Sequence, residues 1–229
     1  MVLFIVSGLN SISVVNVFKE AGFANASVVP YPITPRKTGE ANRQKNFSHL
    51  LYAGAARQDK GFKHLIDFIE YLYVKKSKIP VTVQTSAEHF GKYDAETMAD
   101  IERLKAIPYP HLTLRTEVLS VKEYEELFSG AIAIQLYSTT DFSDRVSGIT
   151  LDAFSGGCPV ITTSGTWIAR MVERFEAGMV IDIASPAKVL QSVEAIVLDY
   201  ARYNVNANTA GQALQQENSA SVLYKVLTE

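Results

Sequence analysis

The sequence predicts an α/β fold built on a doubly wound parallel sheet, and three observations carry that expectation. Short apolar runs alternate with segments of helical period along most of the chain. Glycine, proline, serine and threonine punctuate the junctions between them. The run over residues 131–137 is apolar almost throughout, as a central parallel strand covered on both faces must be.

Each element follows in order. Residues 49–55 form an apolar run closed by Gly54 and read as a buried strand. Phe62, Leu65, Ile66, Ile69 and Leu72 then recur at helical spacing, with Asp67 and Glu70 on the other face. Residues 81–85 read as a strand. A helix over 95–106 should turn Met98, Ile101 and Leu104 inward. A strand over 112–115 precedes a helix over 121–128, for which Ser120 is the N-cap. After the strand at 131–137, a helix over 148–155 should end at Gly156-Gly157, which can supply a left-handed cap. Pro159 opens a strand over 159–162, a position where proline is tolerated. A helix over 167–175 and a strand over 179–183 follow. Ser185 then caps a helix with Pro186 in its first position, predicted to run to about residue 203. Residues 219–227 form a weaker closing segment.

The stretch 30–46 holds three prolines, a glycine and several basic or amide side chains, with no apolar period, and reads as an irregular connector. The expected organisation is a leader and crossover over 1–46, a sheet domain over 47–203 and a helical tail over 204–229. With 229 residues and 47% hydrophobic types, the chain can build one substantial core. Charged residues make up 20%, the net charge is −2, and Lys and Arg are dispersed, which disfavours nucleic acid as a partner. Cys158 is the only cysteine, so neither an intrachain disulfide nor a cysteine metal site can form. His49, His64, His89 and His111 show no ligand spacing, and no metal or other cofactor is expected. The apolar opening at 1–6 lacks a basic flank and is broken by Asn10, Ser11 and Ser13, so neither a membrane span nor a signal peptide is expected. A soluble, cytoplasmic protein fits these readings.

In a doubly wound sheet the ligand sits at the carboxyl ends of the strands, so the strand-to-helix loops matter most. The first, from Gly54 to Gly61, places Arg57 and Lys60 where a helix begins. Glycine admits close approach of a ligand to the backbone, and two cations at a helix N-terminus suit a diphosphate. Taken alone, the loop reads equally well as a solvated basic turn. The second runs from Asp144 through Ser147 and Gly148 to Asp152. Backbone N–H groups at Ser147 and Gly148 open a helix and could receive a phosphate, while Asp152, one turn on, could accept hydrogen bonds from vicinal hydroxyls. The plainer alternative makes Asp144 a loop acid and Asp152 an acid favoured by the helix dipole.

The two loops together resemble the family 4 retaining glycosyltransferases of GT-B architecture, also called glycosyl transferases group 1. That pattern has a strand, a glycine, an arginine and a Lys-Gly pair opening the first helix. A Glu-x7-Glu element then runs into Leu-Glu-Ala and Gly-x-Pro-Val. Here Gly54, Lys60 and Gly61 keep the first spacing, and Asp144 and Asp152 stand at the two glutamates. Leu151-Asp152-Ala153 and Gly157-Cys158-Pro159-Val160 reproduce the rest. Gly22-Phe23 and Val28-Val29-Pro30 are similar to the family's crossover into its C-terminal domain. Ala55 stands where the family has arginine, so its role falls to Arg57.

The resemblance implies the Rossmann-like, donor-binding half of such an enzyme, with its acceptor, a sugar or glycolipid, held by an N-terminal domain. It further implies that Arg57 and Lys60 neutralise the diphosphate of a UDP- or GDP-linked sugar and that Asp144 contacts the transferred sugar. Ser147, Gly148 and Ile149 would hold the distal phosphate on their backbone, Asp152 the ribose, and Val118 and Leu119 the base. Gly54 would let the ligand approach. A non-catalytic nucleotide-sugar-binding or assembly module, acting through a partner protein, is the alternative. A dinucleotide-dependent oxidoreductase is disfavoured, because no Gly-x-Gly-x-x-Gly follows any strand.

Overall fold

The structure, a computed structural model, describes residues 12–23, 46–85 and 93–228. Helix α1 (Ile12–Glu20) comes first, a helix within the expected leader. The crossover signature at Val28-Val29-Pro30 and most of the 30–46 connector lie outside the described residues, as does His89.

From Phe47 onward, strands and helices alternate. Strand β1 (His49–Ala53) leads through a 3₁₀ turn (Gln58–Lys60) to α2 (Phe62–Val74). Then come β2 (Val81–Gln84), α3 (Ala95–Ala106), β3 (Leu112–Arg115), α4 (Val121–Glu126) and β4 (Ala131–Gln135). A short α5 (Thr139–Phe142), capped by Ser138, precedes α6 (Gly148–Ser155). The chain continues through β5 (Val160–Thr163), α7 (Trp167–Phe175), β6 (Gly178–Ile181), α8 (Pro186–Leu198), α9 (Tyr200–Glu217) and α10 (Ala220–Thr228).

All six strands lie in one parallel sheet in the order β3-β2-β1-β4-β5-β6. Alternation along the central strands explains why both faces are covered. Leu50 and Tyr52 of β1, with Ile132 and Ile134 of β4, join one buried cluster with residues of α2 and α8. Leu51 and Ala53, with Ala131 and Ala133, join the other with residues of α6, α7 and α9. A strand buried on both sides cannot carry a polar stripe, hence the nearly unbroken apolar runs. The chain winds outward from β1 in one direction and from β4 in the other, so the β1–β4 boundary is the topological switch point.

Three sequence expectations are corrected. Helix α3 does not bury Met98, which is 37% exposed; Thr97, Asp100 and Leu104 are its buried residues. Gln58 reaches Asp100 with a 2.8 Å hydrogen bond, and that partner lets a carboxylate take the inward place an apolar stripe would assign elsewhere. The helix begun at Ser185 stops at Leu198 instead of near Tyr203. Asp199 leaves the helical region there (φ −134°, ψ 40°), and α9 starts anew and packs over α6. Residues 139–142 are helical, where an uninterrupted loop was expected.

Other signals act as read. Ser120 forms a reciprocal capping box with Glu123, and Gly157 takes the left-handed conformation (φ 68°) after α6. Cys158 is wholly buried, and burial pushes its thiol well up, so it packs as a small apolar side chain. Trp167 is buried against the α6 side of the sheet.

Candidate functional site

The switch point brings the two singled-out loops together. Gly54 follows β1 with φ 118°, a backbone conformation that side chains rarely adopt. A Cβ placed there would stand 3.6 Å from Lys60 Nζ and 3.6 Å from Ile149 Cγ1. One small volume is therefore bounded by the backbone after β1, a cation from the 3₁₀ turn and a side chain from the first turn of α6. The loops are also bonded, since the Ser138 amide donates to the Asp59 carbonyl (2.8 Å). Gly61 permits this approach: a Cβ on it would lie 2.1 Å from the Leu136 carbonyl oxygen.

The charges divide into paired and unpaired. Arg57 is half exposed and donates through Nε to Asp59 Oδ1 (2.9 Å), with a second contact from Nη2 to Oδ2. Asp144 accepts from Arg170 Nη2 at 3.1 Å. Lys60 Nζ sits 5.8 Å from the centre of the Tyr137 ring. Burial holds the Lys60 ammonium below its ordinary value, with the Arg57 and Arg145 charges pushing the same way and Asp59 opposing. Burial also pushes the Tyr137 phenol up to about 12, so it stays protonated at neutral pH.

Helix α6 supplies the opposite wall. Ser147 caps it, with its hydroxyl accepting from the Thr150 amide (3.3 Å). At Gly148 nothing lies within 4 Å of where a Cβ would be, so the backbone of the first turn is open. Thr150 is fully buried and donates to Gln135 Oε1 at 2.6 Å, pinning α6 to the end of β4. Asp152, one turn further, accepts from the Tyr124 hydroxyl at 2.8 Å. Tyr124 belongs to α4, which follows the loop carrying Val118 and Leu119. Val118 is 87% exposed, while Leu119 packs partly buried in the same cluster as Tyr124.

The structure thus gathers Gly54, Lys60 and Ile149 at one point, with Ser147 and Gly148 beside Ile149 in the opening of α6. It ties Asp152 to α4 and pairs Arg57 and Asp144 with other charges. Tyr124, Tyr137, Arg170, Asp59 and Arg145 also shape the site, and sequence reasoning missed all five. Tyr124 and Arg170 act through partners distant in sequence, and Tyr137 and Arg145 through rings, which no local spacing marks; Asp59 pairs with Arg57 two residues away. A cavity of about 420 Å³ adjoins the site, walled by Gln58, His64, Tyr137, Thr163, Asp182 and Ser185.

The chain is similar in fold to solved structures that include named glycosyltransferases. WaaG, a glycosyltransferase involved in lipopolysaccharide biosynthesis, matches with 17% identity, 88% of this chain, 55% of that chain and a TM-score of 0.60. Anabaena HepE in complex with UDP-glucose matches with 14% identity, 96% of this chain, 63% of that chain and a TM-score of 0.66. The pneumococcal O-GlcNAc transferase GtfA, in complex with UDP and GlcNAc, matches with 14% identity, 99% of this chain, 44% of that chain and a TM-score of 0.61. The likeness is one of fold: a Rossmann-like α/β domain matching one half of the GT-B architecture. The chain spans roughly half the length of these structures. No family model matches the chain, and no curated protein matches it in sequence. Among the described residues, no helix is long and apolar enough to cross a membrane.

Proposed function

We propose that this chain is the donor-binding, C-terminal half of a family 4 retaining glycosyltransferase, acting in the cytoplasm on a UDP- or GDP-linked sugar. One observation carries the reading. Lys60 Nζ and Ile149, in the opening turn of α6, meet over the Gly54 backbone at the switch point of the sheet. A diphosphate placed there receives an ammonium from one loop and backbone amides from the other. The UDP-glucose bound to HepE and the UDP bound to GtfA support a nucleoside diphosphate as the ligand class.

In this reading Lys60 and the amides of Ser147, Gly148 and Ile149 hold the diphosphate, and Arg57 adds positive potential from the rim. Asp152, oriented by Tyr124, accepts hydrogen bonds from the ribose. Val118 and Leu119 flank the base. Asp144, steadied by Arg170, contacts the transferred sugar. The bond from the sugar's anomeric carbon to the diphosphate oxygen breaks as that oxygen takes the electron pair. The cations stabilise the charge that develops there. The new bond forms from the oxygen of an acceptor hydroxyl, of a sugar or glycolipid held by an N-terminal domain, on the same face of the sugar, as the hydroxyl proton passes to the departing diphosphate oxygen.

Thermal melting tests the reading. UDP or GDP at roughly 100 times its Kd should raise the midpoint by about 5–10 °C. Lys60→Ala should remove most of that shift; an undiminished shift would overturn the assignment of the diphosphate site. A second reading, donor binding without transfer, is favoured by the pairing of Asp144 with Arg170. Donor hydrolysis by the chain, lost in Asp144→Asn, would exclude it.

A further inference from the structure

The charges around the switch point do not balance, and the imbalance has a location. Arg57 is held through two contacts by Asp59, and Arg170 is matched to Asp144. Lys60 and Arg145 form no ion pair among the described residues. Both are instead seated on one aromatic pair. The Tyr137 and Phe142 rings meet edge to face with centres 4.6 Å apart, and both residues are buried, at 2% and 3% exposure. Lys60 Nζ stands 5.8 Å from the first ring centre and the Arg145 guanidinium carbon 5.4 Å from the second. The two cations thus lie over one buried ring pair. Arg145 also follows Asp144 directly and precedes the Ser147 cap, which puts it at the opening of α6.

We infer that Arg145 is the second cation of the diphosphate site and supplies, with Lys60, the pair of positive charges that the ligand's phosphates meet. This rests on the donor-site reading above and changes which residues carry it. The like charges of Lys60 and Arg145 repel one another, only partly offset at Lys60 by Asp59, and an anion bound near both turns that repulsion into attraction. Burial first, then the Arg57 charge and, in smaller part, the Arg145 charge hold the Lys60 ammonium below its ordinary value. A planar guanidinium adds paired donors that match phosphate oxygens, which an ammonium cannot do. Arg57 has its Nε–Nη2 edge taken by Asp59, whose charge offsets its own, so its contribution is potential from the rim.

Isothermal titration of the full chain with uridine, UMP and UDP, and with the guanosine series in parallel, tests the inference. Arg145→Gln should weaken diphosphate binding about tenfold or more, weaken monophosphate binding less, and leave nucleoside binding unchanged. Arg145→Lys should recover part of the loss, because it restores charge without the fork. Arg57→Gln should cost less than Arg145→Gln. The losses should shrink as salt rises. Arg145 is exposed, so the unliganded variants should melt as the parent does. Parent-like diphosphate binding by Arg145→Gln, or a larger loss in Arg57→Gln, would overturn this inference alone. A parent chain that binds neither UDP nor GDP would overturn the donor-site reading and the inference together.

Discussion

Gly61 shows how little freedom a single position has here. It takes φ 71°, and a Cβ would press to 2.1 Å from the Leu136 carbonyl oxygen, a backbone atom that cannot move aside without shifting β4. Gly61→Ala should therefore destabilise the protein by about 2–4 kcal/mol in urea denaturation followed by Trp167 fluorescence. Lys60 gives a second residue-scale prediction. Its ammonium loses its proton at lower pH than an ordinary lysine, and only the charged form attracts phosphate. Diphosphate affinity should thus hold steady through neutral pH and fall as pH rises through that lowered value, sooner than the usual lysine range near 10.4. Titration at stepped pH, compared with Lys60→Arg, checks the direction; affinity that climbs with pH would contradict it. Gly54, Lys60, Ser147 and Gly148 were legible because each occupies a fixed offset from a strand end or helix start. Arg145 was not, since it follows an acid in a loop and its role comes from a ring it lies over.

Helix α6 concentrates what elements contribute. It is eight residues long, too short to be stable alone, so its position depends on what it packs against. Thr150 bonds to Gln135 beneath it, and α9 crosses it so closely that Gly211 has no room for a methyl group. A Cβ at Gly211 would stand 2.6 Å from the Phe154 carbonyl oxygen. Alanine is the better helix former by about 1 kcal/mol, yet separating two packed helices costs about 1–3 kcal/mol. Gly211→Ala should lower the melting midpoint despite its propensity, and a raised midpoint would show that α9 can retreat at no cost. Capping and period marked both ends of α6, because those signals lie within a few residues. Where α8 ends and α9 begins was illegible, since Asp199 carries no stop signal and the break serves packing on the far side of the sheet.

Across the whole molecule, the site exists only because β1 and β4 are neighbours although 77 residues, 54–130, separate the end of one from the start of the other. A ligand that bridges their loops should order both at once. Hydrogen exchange with a saturating nucleoside diphosphate should slow across residues 54–61 and 144–150 together, by up to roughly 100-fold at 100 times Kd. Protection of one loop alone would show that the loops do not share the ligand. The sequence by itself determined most of the elements, their order and the parallel sheet, because apolar period and end signals are local properties of the chain; the short helix at 139–142 and the break at Asp199 were not marked by them. It also placed both candidate loops at strand ends. Tertiary structure alone decided which charges are spent on each other and which stay available. Asp144 meets Arg170 across 26 residues, and Lys60 lies over the Tyr137 ring, outcomes set by distances that no spacing along the chain encodes; only the Arg57 pairing with Asp59, two residues on, is local.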